Sequence, residues 1–444
     1  MRKNMEEWKN TYCSKSWTDI NVDFSAEFVK NCCKAQPIKF VPNLNSDFFE
    51  FSPELLKRKS DSLDGIKNED CKFCWSEEDQ RVSYRDIHNK WSPDFIEKNR
   101  DDLLSGKKSF ANYIEVKFSN TCDMACLYCS PRFSSKIAIE NGLKIKSIPL
   151  ASEFEAFKEF SDPLIKNAVE LDRNNFPGKL WDTAQLRFVF LGGEPTLIDQ
   201  FYEFINHITE RVRYHSPDND WKSKMKNIRL EIVTNCNTTP SLMKKFFKMV
   251  DETNFEWTIG ISNESYGLDA ELIRHGLNWE RFQGNFIQYL SASEKIDSIN
   301  LAPTFNIFCL ETFHFYMSWV HEQFKRQLES NGRCPAFTWH GNFITDPELD
   351  IRVLPTEYKK YIDAAIDVAE KENCPKFKNK QKTVEFLKQM KDRIGTIDPE
   401  THQAIYYKER ARDWLVIKEQ KKGVKNLTPL LTRIGYDDYK RFLK

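Results

Sequence analysis

The stretch Tyr113–Pro131 reads YIEVKFSNTCDMACLYCSP: a strand-like run, then Cys122, Cys126 and Cys129 at spacings of four and three. An ordinary tetrahedral metal site takes four protein ligands. Either a fourth ligand lies elsewhere in the chain, or a position is left open for something else to bind.

Outward from this stretch, the same alternation repeats. YIEVKFSN precedes a helical segment through EFEAFKEF; LRFVFLGGEP precedes LIDQFYEFINHITERV; IRLEIVTNCN precedes PSLMKKFFKMV; FEWTIGISNES precedes NWERFQGNFIQYLSAS; INLAPTFNIF precedes FHFYMSWVHEQFKRQL. A sixth strand is expected in AFTWHGNFI, with LDIRVLP extending that region. Short runs rich in Val, Ile and Phe, each followed by apolar residues at three-four spacing, predict βα units and a parallel sheet. The three cysteines, GGEP, TNCN, SNES and Asn306 each follow a strand. Strand ends of βα barrels share one face, where active sites are built, so this register predicts an enzyme.

Charge and composition narrow the class. Lys plus Arg and Asp plus Glu both number 66 in 444 residues, so no basic excess points to nucleic acid. The opening MRKNMEEWKNTY lacks the apolar core of a signal peptide, and no apolar run approaches a membrane span. A soluble, cytoplasmic protein is expected, in which twelve cysteines serve as metal ligands, catalytic groups or buried hydrophobes rather than disulfides.

Three thiolates on one loop suit an iron-sulfur cluster with an open iron, or a zinc knuckle with a remote ligand. The pattern CxxxCxΦC, with Tyr128 at the aromatic position and GGEP one unit later, resembles the radical S-adenosylmethionine enzymes over roughly residues 112–355. The resemblance implies a partial (β/α)6 TIM-like barrel and a 4Fe-4S cluster on Cys122, Cys126 and Cys129, with S-adenosylmethionine (SAM) chelating the fourth iron. Reductive cleavage of SAM would give a 5′-deoxyadenosyl radical that abstracts a substrate hydrogen, with electrons from a donor such as a flavodoxin or ferredoxin. Gly192 and Gly193 would allow close backbone approach, and Glu194 would accept from the methionine ammonium. ISNES and LIRHG stand where the family has a Ser-Leu-Asp-Gly-like motif and an Arg-Gly, making Ser262 and Arg274 candidates for the ribose and the methionine carboxylate. The chain departs from that motif at Asn263, Glu264 and Ser265. Thr234, Asn235 and Asn306 either contact the adenosine or substrate, or cap strand ends.

Residues 1–111 are aromatic and cysteine-bearing, with little β content expected. Cys13, the pair Cys32 and Cys33, and Cys71 with Cys74 supply a closed set of four thiolates for zinc or iron-sulfur. Their arrangement resembles the auxiliary-cluster half-domain called SPASM or twitch, here preceding the radical domain instead of following it. The resemblance implies an auxiliary 4Fe-4S cluster on Cys13, Cys33 (in preference to Cys32), Cys71 and Cys74, and a peptide or protein side chain as substrate. A small metabolite is the alternative substrate, and a zinc-binding interaction protein the alternative class. Residues 356–444 read as a helical extension. Cys236, Cys309, Cys334 and Cys374 are expected to be small buried hydrophobes. The histidines of THQ, WHG and VHEQ lack partners at metal spacing, and KEQKKGVK reads as a solvated helix end.

Overall fold

The computed structural model describes residues 11–78, 83–91, 109–143, 149–172, 185–216, 220–344 and 348–398, with a few isolated positions besides. It is an α/β protein in which strands and helices alternate, and nine of the eleven described strands belong to one mostly parallel sheet. The described residues form two compact units that do not follow chain order. One comprises residues 1–120, 146–231 and 249–256, the other 121–145, 232–248 and 257–444.

The first unit holds β1 (Asp19–Asp23), β2 (Phe28–Lys30), β3 (Ile38–Lys39), β4 (Tyr113–Lys117), β5 (Leu186–Phe190) and the first half of β6 (Ile228–Thr234). Its order β5-β4-β1-β2-β3 is parallel from β5 to β1 and antiparallel thereafter. The N-terminal segment thus carries three strands where its composition suggested few, and β1 pairs directly with β4, Asp19 opposite Tyr113 and Asp23 opposite Lys117.

Side chains alternate across these strands, and the two faces differ sharply. Ile20, Val22, Ile114, Val116, Phe188 and Phe190 are all buried on one face. Against that face pack α2 (Ala151–Glu170) and α3 (Asp199–His215), α1 being Pro53–Leu63. Phe118 meets Phe154 at 5.4 Å and Phe204 at 5.8 Å, and Phe157 lies 5.1 Å from Phe204. Each such ring contributes about 2–3 kcal/mol by leaving water. The opposite face carries Asp19, Asn21, Asp23, Tyr113, Glu115, Lys117 and Arg187.

The second unit contains the end of β6, β7 (Glu256–Ile261) from its second residue, β8 (Ile296–Leu301) and β10 (Ala336–Trp339), with β9 (Thr304–Phe305) and β11 (Asn342–Phe343) as a separate pair. β7, β8 and β10 are parallel neighbours. The expected helices follow their strands: α4 (Pro240–Glu252), α5 (Trp279–Ser291), α6 (Leu310–Asn331), then α7 (Lys359–Lys371) and α8 (Lys380–Arg393). LDIRVLP does not form a strand; Asp350 accepts from the Arg352 amide and starts a short 3-10 turn at Ile351–Val353. KEQKKGVK and most of AIYYKERARDWLVIKEQKKG lie outside the described residues.

Candidate functional site

The cysteine loop in the second unit is held by side chains and backbone together. Ser134 Oγ donates to Met124 O at 2.7 Å, and Cys122 N donates to Ser135 Oγ at 3.2 Å. Ala125 N and Leu127 N each reach a carbonyl of the LIRHG segment at 2.8 Å, His275 O and Ile273 O. Gly276 permits that approach: its φ is +100°, and a Cβ there would stand 3.0 Å from Asp123 O. Cys122 and Cys129 are half-buried and Cys126 buried.

The TNCN turn at the end of β6 grips the same loop. Asn235 Nδ2 donates to Asp123 Oδ1 at 2.8 Å and lies 4.0 Å from Cys122 Sγ. Asn237 Nδ2 donates to Asp123 Oδ2 and to Gly276 O, both at 3.0 Å. Thr234 Oγ1 accepts from Cys236 N at 3.0 Å, supporting the left-handed φ of +59° at Cys236. Asn306 is likewise engaged in its own turn, accepting from Phe308 N at 2.9 Å and donating to Thr304 O at 3.0 Å. Thr234 and Asn306 thus make hydrogen bonds within their own turns, while Asn235 reaches the cysteine loop.

Ser262 sits at the end of β7, its amide donating to Thr234 O at 3.0 Å. Arg274 is committed inside the protein. Its Nη2 and Nε donate to Glu264 Oε2 at 2.6 and 3.2 Å, and Tyr128 donates to the same oxygen at 3.1 Å. Arg274 and Glu264 are buried, and the guanidinium lies 5.5 Å from the Tyr128 ring. Burial drives the Tyr128 hydroxyl well above its ordinary pKa. Around this pair, Glu264 Oε1, Asn263 Oδ1 and Ser265 Oγ are buried without a partner. The positions that depart from the family motif thus hold the arginine and leave three polar atoms unsatisfied.

In the first unit, GGEP follows β5. Gly192 has φ +124°, and a Cβ there would lie 2.5 Å from Ser119 O, so glycine is required by the backbone alone. Gly193 N donates to Ser119 O at 3.3 Å, and the buried Glu194 accepts from Thr196 Oγ1 at 2.8 Å, capping the short turn Pro195–Leu197.

The N-terminal cysteines gather around one cavity of the first unit, lined by Cys13, Cys32, Cys71 and Cys74. Cys33, the preferred member of its pair, is not in the lining; it is exposed, 3.5 Å from the Tyr84 hydroxyl. Cys32 reaches the lining and Cys33 does not, a difference the dipeptide alone does not reveal. Burial raises Cys13, and raises Cys71 to about 12 and Cys74 to about 11. Cys33 goes the other way, to about 6, through the Cys32 thiol, then Tyr84, Lys15 and Lys34 against the cost of burial. The lining contains no carboxylate or imidazole, but does contain Lys34, Arg58 and Arg85. Four thiols in a lining without carboxylate or imidazole fit a thiolate-bound centre. A tetrahedral zinc ion needs its sulfurs about 2.3 Å from one point. Among the described residues no three His, Cys, Asp or Glu side chains are gathered to hold a metal ion.

Asp123, Asn237 and Glu264 are the residues sequence reasoning missed. The second Asn of TNCN and the acid inside SNES were visible, but their partners lie far along the chain. Cys236, Cys309 and Cys334 are buried and Cys374 half-buried. His321 accepts from Trp339 Nε1 at 3.1 Å and pairs with Glu372 at 3.1 Å, a structural role, while His402 of THQ lies outside the described residues. Among the described residues no helix is long and apolar enough to cross a membrane.

No family model and no curated protein matches the chain. Solved structures similar to it include TYW1 with a lysine-pyruvate adduct bound, at 12% identity over 58% of this chain and 71% of that one, TM-score 0.30. They also include Streptococcus suis SuiB bound to S-adenosylmethionine, at 11% identity over 78% and 68%, TM-score 0.35. SuiB bound to precursor peptide SuiA aligns at 12% identity over 81% and 70%, TM-score 0.34.

Proposed function

We propose that the chain is a radical SAM enzyme acting on a peptide or protein side chain. The observation that carries the reading is the loop of Cys122, Cys126 and Cys129, braced at Asp123 by Asn235 and Asn237. A loop so held carries three cysteines on one short braced segment, as suits a cluster whose fourth iron is left to a non-protein ligand. The 4Fe-4S cluster and SAM, when bound, supply reductive cleavage of the sulfonium and hydrogen abstraction.

The residues of the chain have the tasks of holding, orienting and shielding. Cys122, Cys126 and Cys129 are the proposed cluster ligands, and Asn235 offers an N–H toward Cys122 Sγ. Gly192, Gly193, Glu194, Ser262 and Asn306 remain proposed contacts for SAM. Arg274 is proposed to act through Glu264 and Tyr128, since that carboxylate already takes its guanidinium. The unpartnered Glu264 Oε1, Asn263 Oδ1 and Ser265 Oγ suit a ligand rich in hydroxyl or amine groups.

Cys13, Cys32, Cys71 and Cys74 are the proposed ligands of an auxiliary 4Fe-4S cluster, a reading supported by the cavity they line together. The peptide substrate rests on the likeness of these cysteines to the twitch module, and the protein is proposed to work in the cytoplasm with a flavodoxin- or ferredoxin-type donor.

The test is anaerobic reconstitution, counting iron and zinc, and dithionite-dependent formation of 5′-deoxyadenosine by wild type and Cys126→Ala. About eight irons per chain, with 5′-deoxyadenosine formed by wild type alone, supports both clusters. About four irons and one zinc keeps the radical reading and removes the auxiliary cluster. Zinc without iron and no cleavage overturns the enzyme reading.

A further inference from the structure

Strands in a parallel sheet covered on both faces read as continuous apolar runs. In the first unit only one face does. On the other, Tyr113, Glu115, Arg187, Arg229 and Glu231 sit in central strands and remain half-exposed. Charges held half-exposed in mid-sheet need partners or water.

Most of these charges are matched within the unit. Lys15 pairs with Asp19, Lys117 Nζ with Asp23 Oδ2 at 3.0 Å, and Arg229 Nη2 with Glu256 Oε2 at 3.0 Å. Gln185 Nε2 donates to the same Glu256 oxygen at 3.0 Å, closing the network at the start of the strands. Arg187 lies over the Tyr113 ring at 5.9 Å.

Two groups at one level of the sheet are left over. Glu115 stands opposite Asn21 in the β1–β4 pairing and has as its hydrogen-bond partner the Tyr113 hydroxyl, at a long 3.5 Å. Asn21 is 8% exposed, and its Nδ2 is buried without an acceptor. A carboxylate without a salt bridge of its own among the described residues, its neighbour Lys15 being paired with Asp19, and beside it an amide donor lacking a carbonyl describe a complementary ligand. It carries a positive group and, a short distance away, a carbonyl oxygen. The surroundings select the same sign. Burial, then the negative neighbours Cys33 and Asp19, raise Glu115 to about 7 against the pull of Lys15 and Tyr113, and a bound cation would relieve that strain where an anion would add to it.

We propose that this polar face is the substrate-binding surface, and that it takes a peptide's basic side chain. Glu115 accepts from the protonated amine or guanidinium, and the Asn21 amide donates to a peptide carbonyl. The inference rests on the radical reading for the claim that the bound molecule is the substrate, while the binding chemistry stands on this face alone.

The experiment compares Nα-acetyl-lysine N-methylamide with Nα-acetyl-glutamate N-methylamide, titrated calorimetrically into the full reconstituted chain with SAM present. Wild type is expected to bind the lysine probe at least tenfold more tightly. Glu115→Gln, which keeps the size of the side chain, should lose about tenfold in affinity for the lysine probe and little for the glutamate probe. Asn21→Leu, which removes the donor without adding a charge, should weaken both. Equal affinities, a reversed preference, no binding of either probe at 10 mM, or an unchanged preference in Glu115→Gln would each overturn the inference. A preference in a chain that makes no 5′-deoxyadenosine keeps the binding face and discards the radical reading. 5′-Deoxyadenosine without a preference does the reverse.

Discussion

Cys122, Cys126 and Cys129 lie within eight residues of one another on a loop whose backbone and neighbouring carboxylate are gripped by hydrogen bonds. Cys13, Cys32, Cys71 and Cys74 instead come from three separate chain segments and are brought together around a cavity by packing. The first arrangement is local and pre-organised; the second exists once the segments have folded. Burial raises Cys71 and Cys74 to about 12 and 11, so loading this cavity must also drive protons off the sulfurs. One set is read from spacing, the other from tertiary contact.

The sharpest way to test that contrast is to substitute the adjacent cysteines. Cys32→Ser is expected to lose about half of the iron bound by the reconstituted chain, while Cys33→Ser keeps it, as read by iron content and the visible spectrum. Equal losses in both variants would mean that the turn rearranges when a cluster binds.

Next in size is the ion pair behind the loop. Arg274→Met leaves the buried Glu264 carboxylate without its cation and should cost about 3–5 kcal/mol in denaturant unfolding. The double variant Glu264→Gln with Arg274→Met should recover much of that loss, since no charge then remains buried. A single variant as stable as wild type would show that water reaches the pair.

Asn237→Ala removes two hydrogen bonds that tie Asp123 and Gly276 together, and about 1–3 kcal/mol of stability is expected to go with them. If the grip on Asp123 matters for function, this variant also bleaches its cluster faster in air than wild type does.

The smallest effect concerns Glu115. Its pKa is raised from 4.5 to about 7 in the folded chain, so between those values the native state binds more protons than the unfolded one. Stability should therefore fall as pH rises through that window. Glu115→Gln should match wild type near pH 4 and exceed it at pH 8 by about 1–2 kcal/mol, allowing for partial solvent screening. Identical pH profiles would place the carboxyl in water, and with it remove the case for a cation at that position.

The alternation of strand and helix was legible because apolar periodicity is a local property, and the helices at Ala151–Glu170, Asp199–His215 and Trp279–Ser291 stand where their patterns put them. LDIRVLP failed as a strand because Asp350 takes the Arg352 amide and starts a turn, a contest between a short apolar run and one capping side chain. In the cysteine-rich N-terminal segment, Phe28–Lys30 and Ile38–Lys39 escaped notice because they are only three and two residues long.

By itself, then, the sequence determined the α/β alternation, the strand ends that carry Cys122, Gly192, Thr234, Ser262 and Asn306, and the cysteine spacing with its implied chemistry. All of these are patterns within a few residues. Tertiary structure alone decided that Cys32 rather than Cys33 lines the cavity, that Glu264 occupies Arg274, that Asn237 holds Asp123, and that one sheet face keeps Glu115 and Arg187 half-exposed. Each depends on which distant side chain arrives within hydrogen-bond reach, and separations such as the 114 residues between Asp123 and Asn237 leave no trace in local periodicity.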